Sequence, residues 1–319
     1  MTPATHTAQG MALRPYQREA LDAIDARLAA GKRRIVVVLP TGTGKSLLAA
    51  QLPQQLGTPL LLLTHREELL DQHIEHMQLS NPALCIGIAQ ADRHATGTED
   101  LGLASLPTLV AVGSRRLERF KAVPWAGIVV DEVHHAAAKT WRELLENLGC
   151  FSDAPPPLVG WTATPSRGDG IGLHTIFEEI AYQRSLREMI DDGWCADIRA
   201  YTIHTDVNLD AVHVRHGDFV DGELAGTVNT PGRNTLLVEA WRRLAERRRT
   251  LVFCANVLHA EAVAISFQRA GIHAEPFTQK LPKDLRKSRL AAFRDGRIPI
   301  LTSVGILTEG YDDPPLSCL

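Results

Sequence analysis

The segment from Arg34 to Ser46 constrains the fold more than any other part of the 319-residue sequence. It opens with the apolar run Ile35–Leu39, which predicts a buried strand, and continues into the glycine-rich stretch Pro40–Ser46. The helix-like run "GKSLLAAQLPQQL" follows. A buried strand that turns through glycines into a helix is the setting of a phosphate-binding loop. The fold must therefore hold this strand inside a sheet, with a helix directly after it.

Strand-like and helix-like segments alternate along the chain after that loop. The further strand-like runs are "PLLLLT", "TLVAVG", "GIVVDE" and "LVGWTA". Between the first two lies "HREELLDQHIEHMQL", a helix-like run with apolar positions at Leu69, Leu70, Ile74 and Met77. Such alternation predicts an α/β fold, a parallel sheet with helices on both faces. Right-handed crossovers make a doubly wound layer the natural result.

The alternation weakens after "TATPSRGDGIGL" and resumes at "TLVFCA", which predicts two α/β domains. We predict residues 1–10 as a tail, 11–195 as the first domain, 196–230 as a connector and 231–319 as part of a second domain. Pro231 is expected in the first turn of the helix that opens this second domain.

Composition excludes several classes of protein. No apolar run approaches the ~20 residues that a membrane span needs. The five cysteines form no C-x-x-C pair, which argues against a metal cluster or a disulfide framework and predicts a reducing cytoplasm. The net charge is −3, so any contact with nucleic acid must come from local patches and backbone amides.

The residue types of the glycine-rich loop fit nucleotide phosphates. Gly42 and Gly44 let the backbone turn its N–H groups toward phosphate oxygens, Lys45 can reach the β- and γ-phosphates, and the Ser46 hydroxyl can ligate Mg²⁺. The usual pattern opens with glycine, and Leu39 departs from it. The alternative is a glycine-rich turn before a helix with a lone exposed lysine. The candidate nucleotide-binding residues are Thr41, Gly42, Thr43, Gly44, Lys45 and Ser46.

A second candidate element is "GIVVDEVHH", a hydrophobic strand that ends in two acids. Asp131 is positioned to hold Mg²⁺, usually through water, and Glu132 to orient or deprotonate an attacking water. Acids at a strand end also cap helices, so it is the lysine loop upstream that makes the pair a catalytic candidate. His134 and His135 could each be metal ligands. For His134 a contact with the γ-phosphate or between domains is favoured instead, and for His135 a structural role and a functional role are equally weighted.

Taken in order, these motifs resemble a superfamily-two helicase of the DEAD/DEAH type, closest to the DNA-repair and restriction-type subgroup. "RPYQREAL" resembles the Q-motif, "LTHREELLDQ" motif Ia, "VGSRRL" a strand-contact motif, and "DEVHH" motif II. "GWTATPSRGDG" resembles motif III, "LVFCANVLHAEAV" motif IV and "LTSVGILTEGYDDP" motif V. The resemblance covers nearly the whole chain and implies two RecA-like domains that bind ATP and Mg²⁺, the second of them incomplete.

The resemblance also implies roles on the nucleotide side. Gln17 is expected at the adenine edge, Gly310 near the γ-phosphate, and Asp312 at the ribose or a linking water. Thr162 and Thr164 are expected to couple the acid pair to movement of the second domain. The alternatives are a Thr/Pro strand exit for the two threonines and an ordinary Gly/Asp/Pro turn for motif V.

Contacts to a nucleic-acid backbone are implied for three motifs. Such contacts position a strand without reading its sequence. The alternative for the arginines is an exposed charge at a helix start. By resemblance, the residues of "THREELLDQ" and "DEVHH" favour DNA as the strand, and RNA is the alternative. The candidate strand-contact residues are Thr64, Arg66, Ser114, Arg115, Thr302 and Ser303.

The expected activity is ATP-dependent movement along a strand. No "QxxGRxxR" pattern of motif VI occurs in the sequence. We therefore expect a chain cut before that motif, with weak hydrolysis and a partner chain or missing segment that completes its second domain. The alternative is a nucleotide-gated DNA-binding module with little or no unwinding. A small-molecule P-loop kinase is disfavoured, since it explains neither "TATP" nor a second α/β domain.

Overall fold

The computed structural model describes residues 12–65, 70–89, 98–111, 115–133, 139–164, 173–205, 207–215, 218–245, 247–307, 311, 313 and 315–319. Two compact units make up the chain. The first ends at Asp197 and the second begins at Ile198. Among the described residues, no helix combines the length and the apolar character needed to cross a bilayer.

The first unit is built on a parallel sheet, and its described residues contribute seven strands in the order β3-β4-β2-β5-β6-β1-β7. Chain order and spatial order differ because helices carry the chain from strand to strand, as a doubly wound sheet requires. The strands are β1 (Arg34–Val38), β2 (Leu60–Thr64), β3 (Ile86–Ala89), β4 (Leu101–Ser105), β5 (Gly127–Val130), β6 (Leu158–Thr162) and β7 (Glu179–Gln183).

Helices cover both faces of this sheet. Ile35 and Val37 of β1 join one buried cluster, while Val36 and Val38 join another. This alternation is the period of a strand buried on both sides. The helices are α1 (Pro15–Ala29), α2 (Lys45–Ala49), α3 (Leu52–Leu56), α4 (Leu70–Ser80), α5 (Leu106–Val110), α6 (Arg116–Lys121), α7 (Lys139–Asn147) and α8 (Leu186–Asp191), with a 3₁₀ turn at Leu173–Thr175.

Two local predictions are wrong. The single helix expected over "GKSLLAAQLPQQL" is two short helices, α2 and α3, because Pro53 has no N–H to continue the first. The strand expected at "TLVAVG" lies one run earlier, in β4. Ser105 ends β4 and caps α5, its hydroxyl accepting from the Thr108 N–H at 3.3 Å, and Pro107 favours the helix start.

The second unit carries a smaller parallel sheet, in the order β10-β12-β11. Helix α10 opens as predicted, with Pro231 in its first turn and the Thr230 side chain accepting from the Arg233 N–H. Its elements are β8 (Val214–Arg215), β9 (Asp218–Phe219), α9 (Asp221–Val228), α10 (Pro231–Leu244), β10 (Thr250–Phe253), α11 (Val257–Arg269), β11 (Ala274–Phe277), α12 (Lys283–Arg294) and β12 (Ile300–Ser303). β8 and β9 form an antiparallel pair apart from that sheet.

Candidate nucleotide site

The glycine-rich loop leaves the sheet at the carboxyl end of β1. Its first residue, Leu39, is buried and donates its N–H to the Thr162 carbonyl at 2.9 Å. Gly42 and Gly44 have φ of +80° and +79°, the left-handed region that glycine enters at little cost. The Thr43 hydroxyl donates to the Pro40 carbonyl at 2.7 Å and closes the loop on itself. Thr41 and Gly42 are exposed, so the loop presents its backbone at the surface.

The lysine and the acid pair meet at the base of this loop. Lys45 Nζ lies 3.7 Å from Glu132 Oε1 and 3.4 Å from the Leu39 carbonyl oxygen. Glu132 follows β5 with φ of +51°, an uncommon torsion for a residue with a side chain. Strain of this kind is frequent in functional sites. The two charged groups that the sequence assigns to one site are therefore neighbours.

Asp131 is almost fully buried, and its N–H donates to the Leu63 carbonyl. Burial alone would raise its pKa. The short contact with His73, and the charges of His73 and Lys45, outweigh burial and hold the pKa of Asp131 below its ordinary value. Asp131 is accordingly a carboxylate at neutral pH.

His73 joins the acid pair to the glycine-rich loop. Its Nδ1 lies 2.8 Å from Ser46 Oγ, and its Nε2 lies 3.1 Å from Asp131 Oδ2, a distance typical of an ion pair although the N–H is not aligned for a hydrogen bond. Sequence reasoning missed His73. A signal was present, because His73 lies three residues after Leu70 and four before Met77, on the helix face that is buried.

The described residues suit Mg²⁺ and nucleotide phosphates. No group of three or more His, Cys, Asp or Glu side chains in the described part of the chain could hold a metal alone. An ion held by the Asp131 carboxylate and the Ser46 hydroxyl would therefore take its other ligands from phosphate and water, as Mg²⁺ commonly does. A Cβ at Gly42 would meet nothing within 4 Å, so the loop backbone is open to a ligand there.

Gln17 is buried at the start of α1 and contacts the backbone of the glycine-rich loop. Its Nε2 donates to the Thr43 carbonyl at 2.9 Å, and its Oε1 accepts from the Arg14 N–H at 2.9 Å. The Tyr16 hydroxyl donates to the same Thr43 carbonyl at 2.8 Å, and burial raises the pKa of Tyr16. The structure thus brings Gln17 to the loop, while contact with an adenine remains a prediction.

Thr162 ends β6 beside the loop and is fully buried. Its hydroxyl donates to the Thr164 carbonyl at 2.8 Å and accepts from the Thr164 N–H at 3.1 Å. These bonds fix the strand exit that follows β6. Coupling by the two threonines remains a prediction.

The strand-contact candidates do not share one environment. Thr64 is fully buried at the end of β2, and Arg115 is exposed where α6 begins. In the second unit, Thr302 and Ser303 are fully buried at the end of β12. The Thr302 hydroxyl donates to the Ala260 carbonyl at 2.8 Å, and the Ser303 hydroxyl donates to the Ile306 carbonyl at 2.6 Å. Strand contact by these residues remains a prediction.

Six further residues considered in the sequence lie outside the described residues: Arg66, Ser114, His134, His135, Gly310 and Asp312.

Two family models match the chain. Residues 10–167 match the family described as type III restriction enzyme, res subunit, and residues 233–319 match the helicase conserved C-terminal domain. The first match includes the loop, the acid pair, Thr162 and Thr164, and the second includes Thr302 and Ser303.

Two fungal proteins are among the relatives. The putative mitochondrial ATP-dependent helicase irc3 of Schizosaccharomyces pombe is 33% identical over 316 residues, which cover 96% of this chain and 51% of that protein. The putative ATP-dependent helicase IRC3 of Saccharomyces cerevisiae is 28% identical over 323 residues, which cover 96% of this chain and 46% of that protein. The chain therefore spans about half the length of these curated relatives.

A solved structure supports the fold. The ATP-dependent type ISP restriction-modification enzyme LlaBIII bound to DNA superposes with a TM-score of 0.64 at 15% identity, over 97% of this chain and 25% of that chain. At this identity the likeness shows the fold alone. It confirms the predicted RecA-like α/β architecture of two parallel sheets.

Proposed function

Because the chain belongs to the superfamily-two helicases, we propose that it binds ATP with Mg²⁺ at the loop after β1 and couples ATP hydrolysis to movement along a nucleic-acid strand. DNA is the favoured strand. The relatives are named as ATP-dependent helicases, and residues 10–167 match a restriction-enzyme family, which supports DNA as the strand.

One observation carries the proposal. Lys45 lies 3.7 Å from Glu132 at the base of a loop whose two glycines have left-handed torsions. A solvated lysine on a simple glycine-rich turn, the alternative from sequence, would not lie with its side chain only 12% exposed between an acid and a buried strand end. Phosphate oxygens would offer its ammonium the acceptors that Glu132 and Leu39 offer now.

Each residue then has a role drawn from its chemistry. The loop N–H groups and Lys45 bind the phosphates, and Ser46 with the ionised Asp131 would hold Mg²⁺, which neutralises charge on the transferring phosphoryl group. Glu132 orients the attacking water and takes its proton. Gln17 keeps the loop in shape through the Thr43 carbonyl.

The test is nucleotide binding and hydrolysis by the 319-residue chain, with and without single-stranded DNA or RNA. Lys45→Ala should weaken binding of a fluorescent ATP analogue at least tenfold, because it removes a charge-assisted contact. Glu132→Gln should bind the analogue normally but lower any hydrolysis by about 10²-fold, since the group that activates water is lost.

Lys139→Ala is the matched control. That side chain is 89% exposed and reaches only as far as Glu143, four residues along α7, so both readouts should stay at the wild-type level. If the analogue binds but neither DNA nor RNA stimulates hydrolysis, the proposed coupling of hydrolysis to movement along a strand is contradicted. A nucleotide-gated DNA-binding module is then favoured. Stimulation by RNA alone would contradict the choice of DNA.

A further inference from the structure

His73 contacts both side chains that are proposed to hold magnesium. Its two ring nitrogens lie 2.8 Å from Ser46 Oγ and 3.1 Å from Asp131 Oδ2. Ser46 lies in the first turn of α2 and Asp131 directly follows β5, so one imidazole contacts two separate motifs. No motif derived from the sequence includes it.

Packing holds the imidazole in this position. His73 lies on α4 between Leu70 and Met77, both fully buried, and α4 packs against α2, which carries Ser46. The His73 side chain is only 14% exposed. A side chain that is already fixed by packing loses little conformational entropy when it forms a contact. The free energy of the His73 contacts is therefore more favourable than that of the same contacts made by a mobile surface histidine.

An imidazole and a magnesium ion cannot both lie between Ser46 Oγ and Asp131 Oδ2. Mg²⁺ demands near-octahedral ligands at about 2.0–2.1 Å, and it keeps waters where it is not bound directly. The imidazole lies between the two oxygens, with one ring nitrogen 2.8 Å from Ser46 Oγ and the other 3.1 Å from Asp131 Oδ2, and so occupies space that an ion held by both oxygens, with its waters, requires. One of the two sets of contacts must give way to the other.

We propose that His73 is a positioning residue that competes with Mg²⁺ for Ser46 and Asp131, and thereby sets the magnesium concentration at which nucleotide binds tightly. The inference rests on the proposed ATP site and adds a regulatory element to it. The two contacts of His73, with Ser46 and with Asp131, are here called the His73 bridge. Nucleotide without metal leaves this bridge intact, whereas nucleotide with Mg²⁺ has to displace it. The affinity of the metal is lowered by the free energy of the bridge.

The experiment is a magnesium titration of the binding of a fluorescent, non-hydrolysable ATP analogue to the full chain. His73→Ala and His73→Asn remove the bridge, the first by truncation and the second by shortening. Both should lower the half-saturating Mg²⁺ concentration by roughly tenfold, the scale of the net contribution of one hydrogen bond such as that between His73 and Ser46. Analogue affinity in EDTA should change less than about twofold, because no metal then competes.

Two further variants separate the bridge from a general effect on the fold. His73→Gln keeps an acceptor and a donor at the end of the side chain and should titrate close to wild type. Gln78→Ala alters an exposed position on the same helix and should leave the titration unchanged. Thermal unfolding of every variant without Mg²⁺ identifies any that fails to fold, and His73→Asn then replaces His73→Ala.

The outcomes distinguish this inference from the ATP site itself. If Mg²⁺ strengthens binding to wild type but the bridge-free variants titrate at the same or a higher concentration, the competition is overturned and the ATP site stands. If analogue binding to wild type does not depend on Mg²⁺, both are overturned. A lower midpoint for the bridge-free variants, with His73→Gln near wild type, supports the competition.

Discussion

Gly44 and Gly31 have almost the same backbone torsion, φ of +79° and +86°, in very different surroundings. A Cβ on Gly31 would meet nothing within 4 Å. A Cβ on Gly44 would lie 2.7 Å from Gln17 Nε2 and 3.2 Å from Leu47 Cδ1. The first glycine is needed only for its torsion, whereas the second also leaves room for the amide that holds the loop.

Gly44→Ala should therefore cost more than Gly31→Ala. A left-handed alanine costs about 1–2 kcal/mol of folding free energy in either place. At Gly44 the displaced Gln17 also loses its hydrogen bond to the Thr43 carbonyl, which adds about 1 kcal/mol. Urea unfolding measures the difference through the tryptophans of the first unit, namely Trp125, Trp141, Trp161 and Trp194.

Nucleotide binding should also distinguish Gly44→Ala from Gly31→Ala. Gly44→Ala should weaken the fluorescent ATP analogue at least tenfold because the loop backbone moves, while Gly31→Ala should bind as wild type. Equal losses of stability and equal affinities for the two variants would show that the close approach of Gln17 to Gly44 has no consequence.

At the level of single residues, the sequence was informative where chemistry is local. The two loop glycines, Lys45 and the acid pair were predicted as one site because a phosphate loop needs those residue types at that spacing, and Lys45 and Glu132 are neighbours in the structure. The contact of His73 could not be predicted, because it joins residues 27 positions apart through the packing of α4. The left-handed torsion of Glu132 was equally hidden, since most side chains disfavour it.

At the level of elements, one substitution should have opposite effects in a strand and in a helix. Gly160 lies in β6, where an added Cβ would meet Val133 Cγ1 at 2.6 Å and Phe177 Cζ at 2.8 Å, both in the buried core. Gly226 lies inside α9 with nothing within 4 Å of its Cβ position. The core around Gly160 therefore has no room for a methyl group, whereas the space beside Gly226 is open.

Gly160→Ala should therefore destabilise the first unit by about 1–3 kcal/mol, the usual cost of overpacking a core. Gly226→Ala should stabilise α9 by about 0.5–1 kcal/mol, because alanine loses less backbone entropy in a helix. Thermal unfolding followed by circular dichroism measures both. A neutral Gly160→Ala would show that Val133 and Phe177 can move apart freely, and a destabilising Gly226→Ala would contradict an open position in α9.

The elements also show where patterning is insufficient. The buried run of β1 was assigned correctly, because four consecutive apolar residues between Arg34 and Leu39 fit a strand covered on both faces. The run "TLVAVG" is also mainly apolar, but its first residues, 108–110, are helical. Hydrophobicity could not separate the two, and the deciding signals were the cap at Ser105 and the proline after it.

At the level of the whole molecule, each unit carries its own cores. The first unit has buried clusters on the two faces of its sheet, and the second has two clusters around β10, β11 and β12. The resumption of strand–helix alternation after the glycine-rich stretch predicted two domains. The predicted connector, which begins at residue 196, remains a prediction; its first part, the segment 196–204, is exposed and contains apolar residues such as Ile198 and Tyr201.

Among the residues that the structure describes, this segment is where a protease should cut first. Residues 196–205 form no helix or strand, and every residue from 196 to 204 is exposed. Proteases cleave exposed, irregular backbone before they cleave regular elements. Brief trypsin treatment should therefore cut after Arg199 and yield residues 1–199 and 200–319, identified by intact-mass spectrometry. Arg199→Gln should remove that cut and leave the thermal unfolding of the uncut chain unchanged.

The cut chain then tests whether the first unit is stable through its own contacts. Since every residue of its two clusters precedes Asp197, the severed first unit should keep its tryptophan emission and lose no more than a few degrees of its melting temperature. It should also still bind the ATP analogue weakly, through Lys45 and the loop. Collapse of the tryptophan signal after a single cut at Arg199 would mean that those clusters are insufficient and that the first unit depends on the second for its stability.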